Sequence, residues 1–246
     1  HYVFRKQFIA LSFDHEHAAA GGLSVHFWDF MFYALVGLIV TSFVQVGGDF
    51  NPEVGFLNRS GGYRFYEASV MRYLRQSDWT WLREWNPHVT YRGYFGLDGF
   101  YQSARLHIDL TELQFAGGGR FGPELDLDHE GLRAPFTISP GVTLPAGSYD
   151  YPLIGLDWDT DPSAPLSFIL HGEVGPFYNG TKNGAVATFT ARKGASVTAS
   201  LLVDYNDVHL VQGHFVRSLT GFRLGYFFTP RIFIQSLTQY SNQARS

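Results

Sequence analysis

The chain has no cysteine and little charge. None of its 246 residues is Cys, and only 16% are Asp, Glu, Lys or Arg. The absence of Cys excludes disulfides, thiolate nucleophiles and cysteine-ligated zinc. The net charge of −4 argues against nucleic-acid binding, which needs clustered Lys and Arg.

The usual catalytic motifs are also missing. There is no serine in a nucleophile elbow, no HExxH pattern and no Gly-rich phosphate loop after a predicted strand. The Gly run at 117–119 lies inside a predicted strand pair and is interpreted as a bend. We therefore assign no catalytic residue, expect no cofactor, and predict that the protein is not an enzyme.

Aromatic residues and glycine are abundant instead. Phe, Trp and Tyr make up 17% of the chain, and there are 27 glycines. Aromatic side chains favour pleated surfaces and membrane interfaces, so this composition suits a β-barrel or sandwich with an apolar outer surface. An aromatic-rich soluble β protein is the alternative.

An apolar run at 28–46 has one charged residue, Asp29. At a rise of 1.5 Å per residue, a helix of this length matches a hydrocarbon core of about 30 Å. The run predicts a transmembrane helix, with a buried helix of a soluble protein as the alternative. Arg5 and Lys6 precede it and indicate a cytoplasmic side.

A short helix is predicted ahead of the apolar run. Ser12 or Asp14 can cap its start, and Gly21 and Gly22 end it. Among its histidines, His15 and His17 are only two residues apart, so on a helix they point in different directions. We therefore interpret them as surface residues and assign no metal ligand here.

Residues 4–48 resemble a fragment of the permease subunit of zinc, manganese and iron ABC transporters, the ABC-3 family. The resemblance is carried by matching residues around the short helix: Phe13, Asp14, Glu16, Ala18, Ala19, Gly22, Leu23, Val25, Trp28 and Asp29. In that family the stretch is a cytoplasmic coupling helix. The resemblance thus implies an ABC ATPase partner bound through residues 13–23, contacted by Asp14, Glu16, Ala18, Ala19 and Gly22. His15 stands where the family commonly has Pro. One membrane helix cannot form a translocation path, so transport by this chain alone is not expected.

From residue 49 onward, apolar and polar residues alternate. Within 103–110, Ala104, Leu106 and Ile108 oppose Arg105 and His107. A period of two with one polar side is typical of half-buried antiparallel strands. Ten strands are predicted, at 62–74, 79–97, 100–115, 117–127, 149–159, 165–177, 183–193, 196–206, 213–228 and 231–241.

Turn chemistry separates these strands. Turns are predicted at Asn179-Gly180, Asn183-Gly184, Lys193-Gly194 and Thr229-Pro230. The Pro- and Gly-rich stretch 131–148 is predicted to be a long lid-like or extracellular-type loop.

Two acidic runs are candidate calcium sites. Glu124, Asp126, Asp128 and Glu130 alternate in the first, and the second is the DWDTD run at 157–161. Alternate carboxylates on a strand share a face and suit Ca²⁺, but the second run lacks the glycine and distal glutamate of an EF-hand. Both are interpreted as ordinary acidic strand ends, and no metal site is assigned.

Residues 49–246 resemble the C-terminal region of the DUF5916 proteins, bacterial proteins of unassigned activity with a predicted outer-membrane β-barrel region. The resemblance is carried by five blocks in the same order, at 49–59, 82–109, 130–151, 162–180 and 223–243. About ten strands joined mostly by tight turns favour an antiparallel meander that forms a membrane β-barrel or part of one, preceded by the two predicted helices. The resemblance likewise implies an outer-membrane β-barrel region.

Taken together, the sequence predicts two regions, 1–48 and 49–246. The second is expected to be a non-enzymatic outer-membrane barrel with the lipid bilayer as partner and no nucleic acid. A metal-ion permease component is one alternative. A surface module binding glycans or small ligands through loop aromatics such as Phe136 and Tyr149 is the other. An apolar helix normally holds a protein in the inner membrane, so the two regions conflict. A fusion, a gene truncation on both sides, or a sequence-assembly join near Gly47–Gly48 is therefore predicted.

Overall fold

The computed structural model describes residues 27, 41–50, 59, 61–75, 78, 80–229 and 231–242, and nearly all of these belong to strands or their turns. Fifteen strands follow one another along this part of the chain: β1 Thr41–Val46, β2 Tyr63–Met71, β3 Leu82–Trp85, β4 His88–Gly96, β5 Tyr101–Asp109, β6 Leu113–Phe115, β7 Arg120–Leu132, β8 Phe136–Ser139, β9 Val142–Leu144, β10 Gly147–Asp159, β11 Leu166–Phe177, β12 Gly180–Lys193, β13 Val197–Leu210, β14 Gly213–Thr229 and β15 Ile232–Ser241.

Eleven of the strands form one continuous antiparallel meander. Its spatial order is β1-β2-β4-β5-β7-β10-β11-β12-β13-β14-β15, with β3 and β6 paired beside this path. Strands β8 and β9 make a separate hairpin. Neighbours in space are close in sequence because short turns join them, as the turn residues predict. The prediction of a mainly β, antiparallel meander is confirmed.

The predicted barrel is not closed within the described residues. The two edge strands, β1 and β15, have one neighbour each and do not pair with one another. The structure is therefore an open sheet, and closure would require a further partner at each edge.

Two predicted strands are each divided in two. The strand expected at 79–97 breaks at Asn86-Pro87, because proline has no N–H to donate to a ladder. The strand expected at 100–115 breaks after Asp109, whose carboxylate accepts a hydrogen bond from the Thr111 N–H at 3.0 Å. The turn predicted at Asn183-Gly184 is wrong, since both residues lie inside β12.

The end of the predicted membrane helix is a strand. Thr41–Val46 forms β1 and pairs antiparallel with β2. This short stretch contains β-branched Thr41, Val44 and Val46, which suit a strand, and pairing with β2 satisfies its backbone. The remainder of that helix at 28–40, and the short helix predicted at 12–22, lie outside the described residues. Within the described part of the chain, no helix is long and apolar enough to cross a membrane.

The register gives the sheet two different faces. On one, which we call the polar face, Arg92, Arg105 and Asp128 lie side by side on β4, β5 and β7. On the other, the apolar face, Phe168, Phe189, Leu201 and Phe222 form a row across β11 to β14. The predicted alternation along 103–110 is confirmed, because Arg105 and His107 pair with polar-face residues and Leu106 with apolar-face Leu127.

In the described residues, buried side chains are more often polar than apolar, the reverse of what is expected for a soluble protein. Among the described residues, buried apolar side chains are few: Leu82, Val142, Leu144, Tyr151, Leu153 and Val208. Buried polar ones are more numerous: Glu84, Asn86, Thr90, Ser103, Asp109, Asp126, His129 and Ser139. A flat sheet would expose both faces equally, so the sheet curls toward its polar face.

Candidate functional site

The centre of the polar face is an ion-pair network around Arg105. Its guanidinium holds Asp128 with two hydrogen bonds, Nε to Oδ1 at 2.7 Å and Nη2 to Oδ2 at 2.8 Å. Its Nη1 lies 2.9 Å from Oδ2 of Asp126. Both carboxylates are nearly buried, with side chains 10% and 7% exposed. A bidentate arginine fixes the positions of two acidic groups that would otherwise repel each other.

A chain of histidines continues from this network. Nδ1 of His107 lies 2.8 Å from Oδ1 of Asp126, and Nε2 of His107 lies 3.1 Å from Nε2 of His88. Nδ1 of His88 is 3.1 Å from the backbone carbonyl oxygen of Asn86. The hydrogen bond that His107 donates to the Asp126 carboxylate raises the pKa of His107 above its ordinary value.

Three carboxyl groups on or beside this face have raised pKa values. Burial is the main cause for Asp109, Glu124 and Glu130, because it penalises the charged form. For Glu124, the neighbouring carboxylates Asp157 and Asp126 add to the effect. These groups mark the part of the sheet where negative charge is least compensated.

Further along the sheet, other charged pairs continue the polar face. Asp157 lies 2.8 Å from Nδ1 of His171 and 3.0 Å from Nη2 of Arg120. Lys182 pairs with Glu173, and both side chains are mostly buried. Most carboxylates of the two candidate calcium runs thus pair with Arg or His side chains. Asp161, from the second run, instead accepts hydrogen bonds from its neighbour Ser163.

The β8–β9 hairpin covers one end of the polar face. It lies within the stretch 131–148, for which the sequence predicts a lid-like loop, and it carries the fully buried Leu144. A Cβ atom on Gly213 of β14 would lie 3.1 Å from the Val142 side chain. Arg217 of β14 donates a hydrogen bond to the Ile138 carbonyl. The hairpin therefore reaches from β7 and β10 across to β14.

The two aromatic residues predicted for ligand binding differ in their surroundings. Phe136 is 47% exposed on β8. Tyr149 packs against Tyr178 with ring centroids 5.2 Å apart, and its hydroxyl donates to the Pro145 carbonyl at 2.8 Å. They do not form a joint aromatic platform, so glycan binding there remains a prediction.

The apolar face is continuous and exposed. Large side chains on it include Ile154, Leu166 and Phe189, which are 63%, 75% and 53% exposed. Trp158 packs against Phe168 at 5.1 Å between centroids in an edge-to-face arrangement. Exposed apolar surface of this extent on a folded chain marks a contact with another apolar medium or partner.

Histidine and carboxylate groups close enough to share a metal ion occur three times in the described residues. One group is Asp207, His209 and His214 at the β13–β14 turn. The other two are His88 with Asp109 and Glu112, and His107 with Asp109 and Glu124. The last two share Asp109 and lie on the polar face.

The residues predicted to contact an ATPase are Asp14, Glu16, Ala18, Ala19 and Gly22, and all lie outside the described residues. The polar-face network was not predicted as a site. The sequence signals it only by charged or histidine residues at every second position. These are Arg105, His107 and Asp109 in one run and Glu124 and Asp126 in another. Identifying it requires the strand register, which places His88 opposite Asp109 and next to His107, nineteen positions later in the sequence.

Comparison with known protein families gives one match. The ABC 3 transport family model matches residues 1–49, about a fifth of the chain. This match supports the resemblance of the first region to a transporter fragment. No curated protein and no solved structure matches the chain. The resemblance of residues 49–246 to DUF5916 proteins receives no support from these comparisons.

Proposed function

We propose that the sheet of residues 61–242 is a wall segment of a membrane β-barrel, with its apolar face against lipid and its polar face toward an aqueous interior. In this proposal the protein is non-enzymatic, transport-related and located in the outer membrane of a Gram-negative-type bacterium. The substrate is unassigned. The reversed burial supports the proposal most directly, since buried Asp109 and Asp126 contrast with exposed Phe189 and Ile154.

Strand length is consistent with a membrane span. Strands β10 to β14 have 13, 12, 14, 14 and 17 residues. A tilted strand needs about 9–11 residues to cross the hydrocarbon core. Aromatic residues lie near strand ends on the apolar face, as with Tyr226 and Phe228 close to the β14–β15 turn. This placement is typical of the aromatic girdles of membrane barrels.

The two edge strands have unpaired backbone groups. A bilayer does not tolerate unpaired strand edges, because no water is present to satisfy their N–H and C=O groups. Strands β1 and β15 must therefore find partners before the sheet can function in lipid. We accordingly propose a wall segment and not a complete barrel.

Lipid contact is tested with single-tryptophan variants refolded into vesicles of brominated phospholipid. Trp158 on the apolar face is 45% exposed and is expected to lose most of its fluorescence to bromine quenching. Trp85, whose indole N–H donates to the Leu110 carbonyl at 2.7 Å, is the matched control and should be quenched less. A chain that is monomeric and folded in buffer without detergent, with Trp158 unquenched, contradicts the proposal.

A second candidate function concerns the N-terminal region alone. The family match over residues 1–49 favours a metal-ion ABC permease fragment that docks an ABC ATPase. In this proposal, Asp14, Glu16 and Gly22 contact the ATPase. A pull-down with a metal-transporter ATPase should succeed with the intact chain and fail with Glu16→Ala. Retention of the ATPase by both forms, or by neither, argues against docking at this segment.

A further inference from the structure

We propose that the polar face holds a first-row transition-metal dication, such as Zn²⁺, between Nε2 of His88, Nε2 of His107 and the carboxylates of Asp109 and Glu124. These residues lie at the start of β4, the end of β5 and within β7. The site is defined by the folded sheet, and the proposal does not depend on what covers the apolar face.

The Nε2 atoms of the two imidazoles face each other. Nδ1 of His88 faces a backbone carbonyl oxygen at 3.1 Å and must donate its proton there. Nδ1 of His107 likewise donates to the Asp126 carboxylate at 2.8 Å. In the neutral rings both Nε2 atoms then carry lone pairs, yet they lie 3.1 Å apart. Two lone pairs this close repel unless the nitrogens share a proton or both bind one cation that lies beside the line joining them.

The spacing of these nitrogens suits one metal ion. Two nitrogen ligands at about 2.0–2.1 Å from a tetrahedral zinc are roughly 3.3 Å apart. The Nε2 separation of 3.1 Å is close to that value. The outer partners also match the usual pattern, because metal-ligating histidines commonly donate their other N–H to a carboxylate or a backbone carbonyl. Asp126 and the carbonyl of Asn86 fill those two roles.

Two carboxylates lie close enough to His107 to share its ion, and Asp109 also belongs to the group formed with His88 and Glu112. One ligand atom from each of His107, Asp109 and Glu124 lies within 4.8 Å of the others. The Glu124 side chain is only 9% exposed, and its nearest basic atoms are Nε2 of His107 at 4.0 Å and Nδ1 of His171 at 3.9 Å. Those separations are too long for hydrogen bonds. A carboxylate this buried, aimed at two histidines without bonding to them, has room for a cation in between.

Local charge also favours a dication. Asp109, Glu112 and Glu124 have no Arg or Lys ion-pair partner among the described residues, in contrast to Asp126 and Asp128, which share Arg105. Glu112 lies 3.5 Å from Nδ1 of His88, just outside the proposed ligands. Two imidazoles with two carboxylates suit zinc and its first-row neighbours, whereas calcium prefers oxygen ligands alone.

The test measures Zn²⁺ binding to the full chain, refolded in detergent and freed of metal with a chelator. A competition titration with a chromophoric chelator is expected to give one tight site per chain. His88→Gln, His107→Gln and Glu124→Gln should each weaken it at least tenfold. Co²⁺ substitution supplies a second readout, since a four-coordinate nitrogen and oxygen site gives strong visible absorption that His107→Gln should remove.

His214→Gln is the matched control. It disrupts the exposed group formed by Asp207, His209 and His214, where Nε2 of His214 lies 2.6 Å from Asp207. Tight binding should survive this substitution. The proposal is overturned if the intact folded chain has no tight Zn²⁺ site. It is also overturned if binding persists in His88→Gln and His107→Gln but disappears in His214→Gln. Circular dichroism verifies that each variant retains its β-sheet.

Discussion

The two faces of the same sheet follow opposite rules. On the polar face, Asp126 is 5% exposed and is paired with Arg105, while on the apolar face Phe189 is 53% exposed and lies beside the ring of Phe168. In a soluble protein the apolar face would be the buried one. The contrast indicates that hydrogen bonds and ion pairs stabilise the polar face, and in the proposed barrel wall lipid would cover the apolar face.

The largest expected effect comes from placing charge on the apolar face. Phe189→Arg puts a guanidinium in the middle of the apolar row, and at the centre of a bilayer this costs about 2–4 kcal/mol. We expect the variant to lose most of its folding yield in lipid vesicles, measured by heat-modifiable gel migration. Thr188→Arg adds the same charge to the adjacent, half-buried polar-face position and should fold far better. Equal yields for the two variants would show that the faces do not differ in their surroundings.

The second prediction concerns the stability that ion pairs give the polar face. Arg105→Met leaves the buried Asp126 and Asp128 without their shared cation, and we expect unfolding free energy to fall by about 1–3 kcal/mol. Arg105 is half-exposed, which keeps the loss below that of a fully buried pair. Urea unfolding in detergent measures it. Arg92→Met is the control, because its pair with Glu67 is exposed and exposed pairs contribute about 0–1 kcal/mol.

The alternation of residues within strands could be predicted from the sequence, because period two is a local property. That alternation alone predicts that Arg105 and Leu106 lie on opposite faces of the sheet. Which side is buried could not be predicted, since a soluble sheet and a membrane wall have the same alternation. That choice depends on how eleven strands curl together and on what surrounds them.

Strand interruptions and pairings between residues distant in sequence are harder to predict than the alternation. Pro87 was a readable signal for the break between β3 and β4, yet the run 79–97 was interpreted as one strand. Thr41–Val46 was interpreted as helix because its apolar composition extends the preceding run, although its pairing with β2 makes it a strand. The pair of His88 and His107 depends on the β4–β5 register, and no local pattern specifies it.

A smaller effect is expected where the β8–β9 hairpin meets the far side of the polar face. Arg217→Met removes the hydrogen bond to the Ile138 carbonyl, which should contribute about 0.5–1.5 kcal/mol to holding the hairpin down. We expect faster proteolysis between β8 and β9, with little change in global unfolding, because Leu144 stays buried. Arg223→Met, on the same strand and face, serves as the control and should leave the cleavage rate unchanged.

The smallest effect, dependent on pH, concerns Glu130 on the polar face. Burial raises its pKa above the ordinary value of 4.5. The native state then binds a proton more tightly than the unfolded chain does, so its contribution to stability is greatest below pH 4.5 and falls as pH rises through the folded pKa. Arg59, Arg105, Asp128 and His129 surround this carboxyl and are unchanged in Glu130→Gln.

The melting temperature of the Glu130→Gln variant should therefore exceed that of the wild type at pH 7 to 8, by about the same amount across that range, and the difference should vanish near pH 4. The shifts of Asp109 and Glu124 are common to both proteins and cancel in this difference. A variant less stable than wild type at pH 7 would instead mean that the ionised carboxylate is held by Arg59 more strongly than burial opposes it, and the polar face would then be better compensated at Glu130 than at Glu124.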